Sequence, residues 1–183
     1  MRICELSLRN QNMTLEHKKL TSEKAGGGIL GMASPTRLNK LLGELVYLML
    51  ASDLHRKYFI NDIGSVFFPP IDLNQFRIYH RNGGPVGFVT WASLSKEIED
   101  RYLNTNYILR PDDWGSGDRI LFMDLIAPFG DGKNIVRDLR KNVFPDIAAR
   151  SFRVRRDTKP RVRHLHGINY GRIKREFVQQ DAT

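Results

Sequence analysis

Three side chains in this 183-residue sequence combine chemical capability with an informative setting: Ser52, His55 and Asp124. Asp124 sits inside the apolar run Ile120-Leu121-Phe122-Met123-Asp124-Leu125-Ile126, bounded by Gly117 before it and by Pro128 and Gly130 after it, which reads as a strand. Strict alternation places Ile120, Phe122, Asp124 and Ile126 on one face and Leu121, Met123 and Leu125 on the other. Both faces are apolar, so the strand is central, and an ionised carboxylate within it is costly unless it has a partner or a task. Two readings of Asp124 follow: a structural carboxylate in an ion pair or loop brace, or a catalytic or orienting carboxylate at the working end of a sheet. His55 stands in Ala51-Ser52-Asp53-Leu54-His55-Arg56, at the C-terminal end of a helical pattern. An imidazole there can be a favourable partner for the helix dipole. With an unperturbed pKa of about 6.5 it can also act as a general base near neutral pH, oriented by Asp124. Ser52, three residues earlier, can be a nucleophile that His55 activates, or simply a capping or packing residue. Spacing alone does not bring these side chains together.

Other chemistries find less support. The single cysteine, Cys4, lies near the N-terminus, which leaves no intrachain disulfide, no Cys-rich metal site and no credible thiol nucleophile. His164 and His166 are two apart, so on a strand they share a face, but no HExxH or CxxC accompanies them and no metal is expected. His17 and His80 have no catalytic setting. The net charge of +9 is the compositional outlier, and it calls for an acidic partner: nucleic acid, an anionic surface or an acidic protein. A nucleic-acid-binding module is the alternative from a different class, but neither an RNP aromatic motif nor a helix-turn-helix signature is present, and nucleic acid is not the expected partner. No apolar run approaches the ~20 residues of a membrane span, and residues 1–30 lack the apolar centre of a signal peptide, so a cytoplasmic protein is expected.

The elements that must position these residues can be read in order. Residues 1–33, with Gly26-Gly27-Gly28, show no sustained period and are expected to form a flexible tail, with the folded domain over 34–183. Ser34-Pro35 reads as an N-cap followed by proline at the first helical position. Leu38, Leu41, Leu42, Leu45, Leu48 and Met49 then predict a buried amphipathic helix over about 35–52. Phe59 to Phe68 is apolar and ends at Pro69-Pro70, a short helix or irregular segment expected to close over the core. Phe76–Arg81 and Val86–Trp91 flank Asn82-Gly83-Gly84 as a hairpin. Leu94–Leu103 is helical, with Glu97, Glu99, Asp100 and Arg101 on a solvated face. A second helix over 134–144 turns Ile135, Val136, Leu139 and Val143 inward. Two short basic strands over 150–163 and a helical tail from about 169 to 180 follow. The order predicts an α/β domain with a central mixed sheet of about five strands flanked by helices.

Four separated segments carry a family resemblance: Ser52-Asp53-Leu54-His55-Arg56, Pro85-Val86-Gly87-Phe88-Val89-Thr90-Trp91-Ala92, Asp113-Trp114-Gly115-Ser116-Gly117-Asp118-Arg119, and Asp124-Leu125-Ile126-Ala127-Pro128-Phe129-Gly130-Asp131. In order and spacing, over about residues 40–166, they resemble the toxin-activating lysine acyltransferases of RTX toxin operons, the haemolysin-C type. The resemblance implies a single-domain fold similar to GNAT acetyltransferases, usually dimeric. It further implies transfer of a fatty acyl chain from acyl carrier protein to internal lysines of an RTX protoxin. His55 and Asp124 match the family's catalytic pair. The donor would be an acyl-phosphopantetheine borne by the carrier, with no cofactor bound permanently. Acyl carrier proteins are acidic, which makes the cluster Arg153, Arg155 and Arg156 a candidate dock, against the plain alternative of a solvated face. Tyr47-Leu48-Met49 and Leu125 replace aromatic residues of the family at positions expected to line or back the acyl groove. A coenzyme-A-dependent acyltransferase of the same fold is the nearer alternative, but no clear Q/R-x-x-G-x-G/A loop is seen.

Overall fold

The helical spacing of Leu38 through Met49 produces α1, Pro35–Ala51, in a computed structural model that describes residues 35–153 and 161–171. Leu45, Leu48 and Met49 are its buried positions, while Leu38, Leu41 and Leu42 are half-buried. The expected tail over 1–33, the Ser34 cap, Arg155, Arg156 and most of the C-terminal helical tail lie outside the described residues.

After α1 the chain tightens into a 3-10 turn, His55–Lys57, followed by α2, Ile60–Asp62, a π-helical turn, Ile63–Phe67, and α3, Phe68–Asp72. The apolar segment does not stop at Pro69-Pro70 as expected. A new helical turn begins at Phe68 and takes both prolines in its first turn, where their missing N–H groups cost no helical hydrogen bond. Nor does the whole segment close over the core, because Phe67 is buried while Phe59 and Ile60 stand exposed.

β1, Phe76–Arg81, and β2, Gly84–Leu94, form the predicted hairpin. Asn82 and Gly83 have φ of 52° and 79°, the pair of left-handed conformations that a type I′ turn requires and that Asn-Gly supplies cheaply. α4, Lys96–Asn104, starts at Ser95, whose Oγ accepts from the N–H of Ile98 at 3.2 Å. β3, Arg119–Ile126, is followed by α5, Gly132–Asp138, whose last turn widens into a π-helical turn, Leu139–Val143. β4, Ala148–Arg153, and β5, Arg161–His166, complete the sheet in the order β1-β2-β3-β4-β5. Every pairing is antiparallel except β3 with β4, which are parallel with α5 in the crossover, so the sheet is mixed. This α/β arrangement, five strands flanked by helices, is compatible with a GNAT-like acyltransferase fold. Among the described residues no helix is long and apolar enough to cross a membrane.

Apolar side chains fill both faces of the sheet. Tyr79, Val89, Phe122 and Leu125 pack with Ile135 and Leu139 under α5. On the opposite face Phe88 and Ile126 pack with Leu45, Leu48 and Phe67, and farther along Ala92, Leu94, Leu121 and Met123 pack with Trp114. Strict alternation in β3 therefore fails. Thr90 pairs with Asp124 and Trp91 with Phe122, leaving Met123 unopposed as a β-bulge. The extra residue reverses the facing of everything after it. Phe122 and Leu125 share the α5 face, and Asp124 leaves the face of Ile120 and Phe122 that simple alternation assigned to it.

Glu99 also departs from expectation. It was placed on a solvated face of α4, yet it is fully buried and one of its oxygens accepts from Arg119 of β3 and, at 2.6 Å, from Arg150 of β4. Two guanidiniums reaching in from adjacent strands repay its desolvation, and the carboxylate ties α4 to the parallel pair. Glu99→Ala is expected to lower the unfolding free energy by about 3 kcal/mol, the lower end for a broken buried ion pair because both arginines keep partial access to water. The denaturant midpoint reads the change.

Candidate active site

The end of α1 aims His55. Ser52 N–H bonds to Met49 O at 3.1 Å, Arg56 N–H to Ser52 O at 3.0 Å and Tyr58 N–H to His55 O at 3.0 Å. These mixed i→i−3 and i→i−4 bonds round off the end of α1 and fold the imidazole inward, where it is 1% exposed. Its Nδ1 lies 2.8 Å from Ser52 Oγ and its Nε2 lies 3.0 Å from Asp124 Oδ1. All three residues are buried. A carboxylate only accepts, so Nε2 carries the proton and donates to Asp124. The lone pair of Nδ1 is then left to accept from the Ser52 hydroxyl. The result is a directed chain, Ser52 O–H to His55 to Asp124, capable of drawing a proton from the serine side toward the carboxylate.

The bulge in β3 aims Asp124. An unopposed residue leaves neighbouring backbone groups out of the ladder, and here Asp124 N–H finds Thr90 Oγ1 at 3.1 Å, with Thr90 fully buried. Thr90 thus holds the strand in the bulged conformation that turns the carboxylate to His55. Tyr102 of α4 completes the surroundings: burial, and then the charge of Asp124, push its phenol above the ordinary tyrosine range. On the other side the Tyr58 ring lies 5.3 Å from the imidazole, between it and Phe67.

Ser52, His55 and Asp124 are therefore brought together. Arg153 ends β4, and its proposed companions Arg155 and Arg156 lie outside the described residues. His164 and His166 are exposed on β5 with ring centres 6.1 Å apart, and among the described residues no group of three or more potential metal ligands gathers. His80, which had no expected role, pairs with Glu44 at 3.1 Å. Tyr47 lines an open groove beside α1, but Met49 is in the core and Leu125 packs under α5, so neither lines that groove. Sequence reasoning missed Thr90 and Tyr102. A hydroxyl within the β-prone run Val86–Trp91 was the available signal for Thr90; nothing in α4 singled out Tyr102.

Comparison with known proteins matches the sequence to a family. The sequence model of the RTX toxin acyltransferase family matches residues 34–166. The RTX-I toxin-activating lysine-acyltransferase ApxIC of Actinobacillus pleuropneumoniae is 37% identical over 141 residues, covering 77% of this chain and 80% of that protein. The protein-lysine myristoyltransferase HlyC of Escherichia coli is 36% identical over 141 residues, 77% of this chain and 81% of its own. An uncharacterised Synechocystis protein is 38% identical over 122 residues, 66% of this chain and 83% of its own.

The bulge makes Thr90 a sensitive position. Thr90→Val keeps the shape and removes the acceptor for a buried N–H, so a loss of about 1–3 kcal/mol of stability is expected by thermal or urea unfolding. Thr90→Ser, which keeps the acceptor, should retain most of it.

Proposed function

This chain belongs to the RTX toxin acyltransferase family, and on that premise we propose that it moves a fatty acyl chain from the thioester of an acyl carrier protein to the ε-amine of internal lysines in an RTX protoxin, activating it. The observation that carries the reading is the buried chain Ser52–His55–Asp124, built where α1 and β3 meet. A lysine with pKa about 10.4 is almost wholly protonated at neutral pH and must lose a proton before its nitrogen can attack. His55 is the base that takes it and Asp124 orients the ring and stabilises the imidazolium. The amine nitrogen adds to the thioester carbonyl, the C–N bond forms, and the C–S bond then breaks. Of the two protons the ammonium gives up on becoming an amide, one passes by way of His55 to the departing thiolate of the carrier and the other leaves to solvent.

Both imidazole nitrogens are already engaged, which bears on the path. Nδ1 faces Ser52 at 2.8 Å, so a proton reaching His55 arrives by way of the Ser52 hydroxyl or after that hydroxyl has turned aside. The same contact favours a second reading in which Ser52 Oγ, its proton taken by Nδ1, attacks the thioester first and the lysine then displaces the serine ester. The acidity of acyl carrier proteins and the net charge of +9 support the choice of donor, with Arg153, Arg155 and Arg156 as the proposed dock.

Removing a positioned general base costs about a hundred-fold or more in rate. Accordingly His55→Ala and Asp124→Ala should keep the wild-type circular dichroism yet fail to acylate a co-expressed protoxin, as read by intact mass. Full acylation by either variant refutes the assignment. Ser52→Ala separates the two paths: a dead variant together with a hydroxylamine-sensitive acyl-enzyme in the wild type establishes the serine ester, whereas substantial residual transfer establishes direct attack. Acyl carrier protein and coenzyme A donors compared in one assay test the donor.

A further inference from the structure

A cavity of about 660 Å³ lies between α1, the β1–β2 turn and the segment after β3. Tyr47 and Phe129, neighbouring rings 6.1 Å apart, line it, the first five residues before Ser52 and the second five after Asp124. Lys40 and Arg81 line it as well. Arg81 is partly exposed and donates to Asp131 Oδ1 at 2.7 Å, while Asp131 is itself buried. The carboxylate fixes the guanidinium from behind and leaves its other N–H groups to the cavity it lines. Glu44 is drawn to His80 at 3.1 Å and lies 3.9 Å from Lys40, whose ammonium is 75% exposed. Asp131 thus sits behind Arg81, while Glu44, itself a lining residue, is engaged by His80 and leaves Lys40 and Arg81 as the cations that meet an arriving ligand.

α1 connects this cavity to the reacting groups. Ser52 follows Gly43 by nine residues and Lys40 by twelve, about 14 and 18 Å at the helical rise. A phosphopantetheine arm has about thirteen bonds between phosphorus and sulfur and spans about 15 Å extended, by the reach of three backbone bonds per residue. Its chemistry also runs in the order the cavity demands: an anion, a branched apolar unit and amides, then the thioester. A hydrocarbon chain in the same place would desolvate Lys40 and Arg81 with nothing in return.

The geometry points to this groove as the seat of the donor's phosphopantetheine arm, with Arg81 and Lys40 meeting the phosphate and Tyr47 and Phe129 flanking the arm before its thioester reaches Ser52 and His55. The inference rests on the acyl carrier protein reading above and adds to it the residues that read the donor.

Gly43 supplies a clean test. It lines the cavity, a Cβ built on it meets nothing within 4 Å, and a larger residue is favoured over glycine in a helix. Gly43→Phe, by filling the groove, should raise KM for acyl carrier protein about ten-fold or more, the scale of the phosphate losing one charge-assisted contact, and raise KM for acyl-N-acetylcysteamine, which lacks the phosphate and most of the arm, far less. Wild type should prefer acyl-phosphopantetheine to acyl-pantetheine, and Lys40→Glu should abolish that preference. Equal loss with the short thioester, no change with any donor, or a changed acyl-length preference with donor preference intact each overturns the proposal. Free phosphopantetheine titrated into the protein, with NMR shifts read at Gly43 and Arg81, distinguishes the two claims. Binding there without any transfer refutes the proposed function and keeps the groove; transfer without binding there refutes the groove.

Discussion

The hydrogen bond from His55 to Asp124 joins residues 69 positions apart in the chain, and most of the local architecture is arranged around it. A carboxylate and an imidazole, both nearly inaccessible to water, are costly to bury singly and tolerable together. Each needs its own aiming device. For His55 it is the change from α to 3-10 spacing at the end of α1, which turns the side chain under the helix rather than out to solvent. For Asp124 it is one extra residue in β3. Neither device serves the core: an unbroken helix and an unbulged strand would pack apolar side chains at least as well. Their presence marks a position where packing has yielded to geometry.

Other buried carboxylates show how a structural acid differs. Glu99 meets two guanidiniums. Asp138 accepts from the Tyr79 hydroxyl at 2.9 Å, lies 3.5 Å from Arg77 and takes the Asn142 amide at 2.6 Å; burial, and then the charge of Asp138, push the Tyr79 phenol well above its ordinary range. Asp131 meets Arg81, which pulls its carboxyl down against the larger upward push of burial. In each case a permanent cation answers the charge. Asp124 is different, because the group its Oδ1 holds is an imidazole, a ring that can take a proton on one nitrogen while it donates from the other. A structural carboxylate would be better served by arginine. That contrast, internal to this molecule, is the physical ground for reading Asp124 as part of a proton-handling site.

How far the sequence disclosed this depended on the range over which each signal acts. The hairpin was legible because Asn82-Gly83 carries its own turn conformation, and α1 because its apolar period is local. The strand around Asp124 was legible as a strand, but not the facing of its side chains, since the bulge arises from how β3 registers on Thr90 and Trp91, some thirty residues earlier. Glu99 was misread for the same reason: its neighbours in the helix are charged, and the arginines that justify its burial lie 20 and 51 residues away. Ser52 and His55 were recognised through their motif, but their contact depends on how the chain leaves the end of α1, which no residue between them announces. Local propensity reaches as far as a turn; partners across the sheet must be seen.

The order of the three groups constrains the chemistry more than their identity does. Asp124 occupies Nε2, so the face of the imidazole that can work is the Nδ1 side, and Ser52 stands on it. Ser52 is the most exposed of the three while remaining buried. Under the proposed transfer, a serine in that position either relays a proton or bears the acyl group. In either role its oxygen must keep the 2.8 Å contact with Nδ1, and that contact is set by the three-residue spacing across the end of α1. The packing of Leu45 and Leu48 against Phe88 and Ile126 behind the end of α1 keeps the chain of three in register.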